Sequence, residues 1–186
     1  GIDIPTDVIP YKLKVMGDRW GEHDSSRYKK TWGVVNLNVK YFYDMMQSEP
    51  FDPVLYGQLQ QTLIHETFHW IHDVMYDGRT AANTAISGSK GDEWAMLSEA
   101  IATWIEHYTG DKSISINCVN SFPTFLDSFY PERERGAGSV TFQEAGYGMG
   151  FFINWLSLKT SNKSILEILE WQREKTGWGI TSGLGF

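Results

Sequence analysis

In the stretch LIHETFHWIHD (63–73), two histidines and a glutamate stand in the spacing H-E-x-x-H: His65, Glu66 and His69. Residues four apart on an α-helix lie one above the other on a single face. In a helix, His65 and His69 therefore present two imidazoles to one ion. Glu66 projects beside them, poorly placed to bind the same metal and well placed to take a proton from an attacking water. Two ligands and a general base are the chemical content of the pattern. A catalytic zinc site needs a third protein ligand and one open position.

The stretch MLSEAIATWIEH (96–107) offers that ligand in Glu99, on a helix whose other turns carry Leu97, Ile101 and Trp104. An acid alone on a helix usually faces solvent. Here Ala100 and Ala102 are small, as close packing against the histidine-bearing helix requires. Glu106 lies two turns further along the same face, where a carboxylate can accept a hydrogen bond from the outer nitrogen of a ligand histidine and fix its tautomer.

The segment LSEAIATWIE resembles the one that carries the glutamate ligand in gluzincin metallopeptidases of the peptidase MA clan, above all the M1 aminopeptidase superfamily. Members there typically read W-L-N-E-G-F-A-S-Y-x-E after an H-E-x-x-H helix. The resemblance implies a gluzincin, thermolysin-like catalytic domain with His65, His69 and Glu99 as ligands of one Zn2+ per chain. It further implies Glu66 as the base and Glu106 as the glutamate behind a ligand histidine. AGYGMGFFINWL (145–156) is similar to the family's Y-E-K-G segment, whose tyrosine donates to the oxyanion; Tyr147 matches it, and its other reading is an aromatic packed at a helix start. The three matches cover about 30 residues. Departures from the family pattern narrow the expectation. Thirty positions separate His69 from Glu99, more than in typical members, and the polar stretch 77–92 would absorb the excess. No G-x-M-E-N segment is present to hold a substrate's amino terminus, so endopeptidase action is expected over aminopeptidase action. Thr103 stands where thermolysin-like enzymes carry an Asp, and Met75 stands where metzincins carry their third ligand.

The remaining candidates read more plainly. His72 is a packing or hydrogen-bonding residue one turn beyond His69, with Asp73 its partner or an exposed acid. His107 reads as solvent-facing, and His23 lies in a polar loop without a functional role. Trp70, Trp94 and Trp104 read as core. Cys118, the single cysteine, excludes an intrachain disulfide and a cysteine-based metal site, and reads as a small buried hydrophobe. The PERER run (131–135) reads as a solvated loop.

The elements that must position these residues follow from periodicity. In YKLKV (11–15), Tyr11, Leu13 and Val15 alternate with lysines, as in a half-buried strand. In GVVNLNVKYF (33–42), Val35, Leu37, Val39 and Tyr41 share one face of a second strand. The resemblance gives that strand a role, since in such folds an edge strand beside the active-site helix pairs with extended substrate. The intervening GDRWGEHDSSR reads as loop. From Val54 the period lengthens to about 3.6, predicting a helix to the Asp-Gly turn at 77–78. Helices are expected at about 93–108, 143–159 and 162–175, with loop at 122–140. The whole reads as a single α+β domain over 1–186, mainly strands in 1–53 and mainly helices in 54–186.

Composition limits the partners. A net charge of −7 and a pI near 5.2, with scattered basic residues, argue against nucleic acid. The longest uncharged stretch, 145–158, has only 14 residues and is too short to span a membrane. The chain begins with Gly rather than Met and shows no signal-peptide pattern, which reads as a processed form or a fragment. The function expected from all of this is zinc-dependent cleavage of a polypeptide bound in extended form. The alternatives are a non-catalytic, peptidase-like binding module and a zinc hydrolase acting on a non-peptide substrate.

Overall fold

The computed structural model describes residues 9–24, 33–48, 50, 52–76, 90–109 and 142–174. Among these the order is β1 (Tyr11–Lys14), β2 (Gly21–Asp24), β3 (Val34–Asn38), α1 (Val39–Gln47), α2 (Pro53–Tyr76), α3 (Lys90–Thr109), α4 (Phe142–Lys159) and α5 (Asn162–Glu174). The architecture is α+β, a three-stranded sheet followed by mostly helical chain, as the periodicity predicts. The chain divides into two compact units, Gly1–Met75 with Ile105–Ser113, and Tyr76–Trp104 with Ile114–Phe186.

In the first unit the sheet order is β1-β3-β2. β3 runs parallel to β1, with Tyr11 opposite Val35, and antiparallel to β2, with His23 opposite Val35. All five residues of β3 are buried. Val35 and Leu37 pack with Trp70 of α2 into a core that Ile9, Phe42 and Ile71 flank. Burying a large apolar side chain of this kind contributes about 1.5–3 kcal/mol.

Three strand expectations need correction. The strand read over 33–42 ends at Asn38, and α1 begins at Val39. Asn38 causes the switch. Its Oδ1 accepts from Lys40 N–H at 3.1 Å as a helix N-cap, and its Nδ2 donates to the carbonyls of Gly17 and Arg19. This strand is also central, paired on both sides, so it offers no free edge to a substrate. The segment read as loop contains β2, a strand of sequence GEHD with no apolar alternation. Tertiary pairing makes it a strand: the Glu22 carboxylate accepts from Lys14 Nζ at 2.7 Å and from Asn36 Nδ2 at 3.2 Å across the sheet. Finally, β1 is a strand, but its four residues are exposed rather than half-buried.

α2 is specified at its start. Asp52 Oδ1 accepts from the N–H groups of Val54 and Leu55, and Pro53 occupies the first helical position, where its missing N–H costs nothing. The helix then runs unbroken for 24 residues. In the second unit, Leu97, Ile101 and Trp104 of α3, Ile153 of α4, and Ile165 and Leu169 of α5 are buried. Trp70 and Trp104 are core residues as expected, and the indole of Trp104 donates to Ser157 Oγ at 3.2 Å. The expectations for 77–89, for the loop at 122–140, for Cys118, for PERER and for the Trp94 side chain lie outside the described residues.

Candidate metal centre

α2 carries His65 and His69 one turn apart, and their Nε2 atoms lie 3.0 Å from each other. The rings stand nearly perpendicular, with centroids 4.7 Å apart. Two donors on a tetrahedral ion at about 2.0–2.1 Å sit roughly 3.3 Å from one another, so this pair, at hydrogen-bond distance, stands a few tenths of an ångström closer than two ligands of one zinc.

The other nitrogen of His65 is held from behind. Its Nδ1 donates to Glu106 Oε1 at 2.5 Å, and both side chains are buried. A carboxylate at Nδ1 keeps the imidazole proton there, which leaves the Nε2 lone pair facing inward toward His69.

Glu106 lies on α3, and Glu99 precedes it by seven residues, two turns of the same unbroken helix. Glu99 is 8% exposed. Ligand atoms of His65, His69 and Glu99 all lie within 4.8 Å of one another. The three residues could thus in principle hold a metal ion. Two nitrogens and one carboxylate oxygen form a donor set that suits zinc.

Glu66 is half-buried on the next position of α2. The β2 backbone passes directly over it. A Cβ added to Gly21 would come within 2.7 Å of Thr62 Cγ2 and 2.9 Å of Glu66 Cγ, so any larger residue at 21 would push the strand away from the helix. Two residues on, His23 is half-buried and its Nδ1 lies 3.5 Å from Asp73 Oδ2 of α2. β2 therefore lies along α2 from the Glu66 turn to the Asp73 turn, in the same direction as the helix.

In the second unit α4 approaches the Glu99 turn just as closely. A Cβ on Gly146 would lie 2.6 Å from the Met96 carbonyl oxygen and 2.7 Å from Glu99 Cβ. Only a glycine permits this contact. Tyr147, the next residue, is half-buried.

Among the other histidines, His72 is 1% exposed and stacks on Phe68 at 5.4 Å, as its packing role requires. His107 is half-buried rather than solvent-facing. Asp73 partners His23, which lies on β2 rather than in a loop. Gly21 and Gly146 matter to the site, and sequence reasoning does not single them out. For Gly146 a signal exists: glycines at 146, 148 and 150 in the first half of a helix point to a close neighbour. No family model matches the chain, and neither a curated protein nor a solved structure does.

Proposed function

We propose that this chain is a zinc-dependent peptidase of the gluzincin kind, acting as an endopeptidase on polypeptide bound in extended form. The observation that carries the proposal is the convergence of His65 Nε2 and His69 Nε2 beside a buried Glu99, with Glu106 fixing the proton of His65 on Nδ1. His65, His69 and Glu99 would hold one Zn2+. When bound, zinc supplies a Lewis acid for a carbonyl oxygen and lowers the pKa of a water toward about 7.

The chain's own residues supply the rest. The Glu66 carboxylate takes a proton from the attacking water, and the water oxygen forms a bond to the carbonyl carbon. The same carboxyl then gives its proton to the departing nitrogen as the C–N bond breaks, so the base returns to its starting state. The phenol of Tyr147 donates to the developing oxyanion, a contact whose loss typically costs about 2.7–4 kcal/mol of barrier.

β2 is the strand suited to holding the substrate. Asn38 N–H donates to the Trp20 carbonyl. The alternation of an antiparallel ladder then points the backbone groups of Gly21 away from β3. Gly21 lies against Glu66, so an extended peptide paired with this edge would run past the base.

The test is Glu66→Gln, with zinc content and hydrolysis of an unstructured polypeptide measured side by side. The amide keeps the volume and cannot accept the proton. Retained zinc with hydrolysis at least about 100-fold slower is the expected result, the usual contribution of a general base. Undiminished hydrolysis would remove Glu66 from the mechanism. A wild-type chain that binds zinc and cleaves no peptide would favour a binding module.

A further inference from the structure

The other edge of the sheet has a different character. β1 has only β3 beside it among the described residues. Val35 N–H donates to the Pro10 carbonyl at 2.9 Å, with Tyr11 in register opposite Val35. In a parallel ladder this alternation directs the backbone of residues 10, 12 and 14 toward β3. The N–H and C=O groups of Tyr11 and Leu13 then face outward. They have no hydrogen-bond partner among the described residues.

The side chains on this edge are apolar and in water. Tyr11, Leu13 and Val15 are 45%, 59% and 79% exposed. Their face is the α2 face, because the Tyr11 hydroxyl bonds to Thr67 Oγ1 at 3.0 Å. β1 runs opposite to α2, which carries Leu13 from Thr67 toward Leu63, one turn earlier and also exposed. The result is an apolar ledge flanked by a row of backbone groups that are unpaired among the described residues. Lys12 and Lys14 project from the opposite face; Lys14 is bound to Glu22, and Lys12 has no acidic partner among the described residues.

An exposed strand edge with apolar side chains is a template for another strand. The lysines decide which. A second copy pairing about Leu13 in two-fold antiparallel fashion would set Lys12 opposite the copy's Lys14. Pairing about Lys12 would set that lysine opposite itself. Like charges directly opposite are destabilising, so these two registers disfavour pairing with its own copy. We propose that this edge of β1, unpaired among the described residues, binds an extended segment of a partner protein in which apolar and acidic residues alternate. The partner's apolar side chains cover Leu13, Val15 and Leu63, and its carboxylates face Lys12 and Lys14. This edge lies on the far side of β3 from the strand that passes over Glu66, so the inference does not depend on peptidase activity.

The probe is the labelled peptide EVEVEVE with blocked ends, titrated against the full chain by fluorescence anisotropy, beside KVKVKVK. Two further versions carry N-methyl groups on every valine amide or on every glutamate amide. The expected result is saturable binding of the acidic peptide alone, abolished by methylation of one set of amides and kept with the other. Lys12→Glu should weaken it about tenfold, because an attraction becomes a repulsion. Leu13→Asp should remove it, with circular dichroism and melting temperature showing that both variants fold. No binding, equal binding of KVKVKVK, or binding that survives methylation of either set would overturn the proposal. So would a chain that sediments as a dimer until Leu13→Asp is introduced.

Discussion

At His65 the two ring nitrogens have separate partners, Nε2 facing His69 Nε2 and Nδ1 bonded to Glu106. Glu106→Gln keeps an acceptor of similar shape and removes the charge that favours a proton on Nδ1. Partners of this kind typically contribute 10–100-fold to metal affinity, so competition with a chelating dye should show a loss of about that size. An unchanged affinity would mean that His65 is oriented by packing alone. The site is largely legible at this scale, because four-residue spacing on a helix fixes where two side chains point. His65 and His69, and Glu99 seven positions before Glu106, need only helical geometry. His23 and Gly21 are not legible. GEHD carries no apolar alternation, and its strand exists only through partners in β1 and β3.

Among the elements, α2 and α3 are the most legible and the start of α1 the least. α2 announces itself through Asp52, Pro53 and sustained apolar spacing. In VVNLNVKYF the period-two pattern simply continues past Asn38, and only the capping asparagine marks the change to a helix. α4 depends on one glycine. Gly146→Ala would force a methyl group against the Met96 carbonyl and Glu99 Cβ, both on a helix backbone that cannot yield cheaply. The expected cost is about 1–3 kcal/mol, read as a fall in melting temperature of the metal-free chain. If zinc affinity falls as well, the α4 contact also sets the position of the Glu99 turn. A melting temperature equal to that of the wild type would show that the two helices do not meet so closely in solution.

For the whole molecule, the α+β class follows from the sequence, whereas the strand order β1-β3-β2 does not. The order depends on backbone pairing among short strands of mixed polarity, which periodicity does not encode. Among the described residues no helix is long and apolar enough to cross a membrane. Metal and folding should be coupled here, since one ion would be gripped by two helices. Any ligand that binds only the folded chain stabilises it, by about 2.7 kcal/mol at 100 times its dissociation constant. Chelator treatment should therefore lower the melting temperature by several degrees, and restored zinc should recover it. The ligand nitrogens and the carboxylate must be deprotonated to bind, so zinc affinity and this extra stability are full at neutral pH and are lost as pH falls. A melting temperature indifferent to chelator at neutral pH would separate the metal from the fold.

The most direct test is zinc per chain, by elemental analysis of protein purified without chelator, with Glu99→Ala measured beside it. About one zinc in the wild type and far less in the variant, with both chains folded, is the predicted result for a donor set of two imidazoles and one carboxylate. Little zinc in the wild type after metal is supplied would contradict the account, and equal zinc in both chains would remove Glu99 from the ligand set.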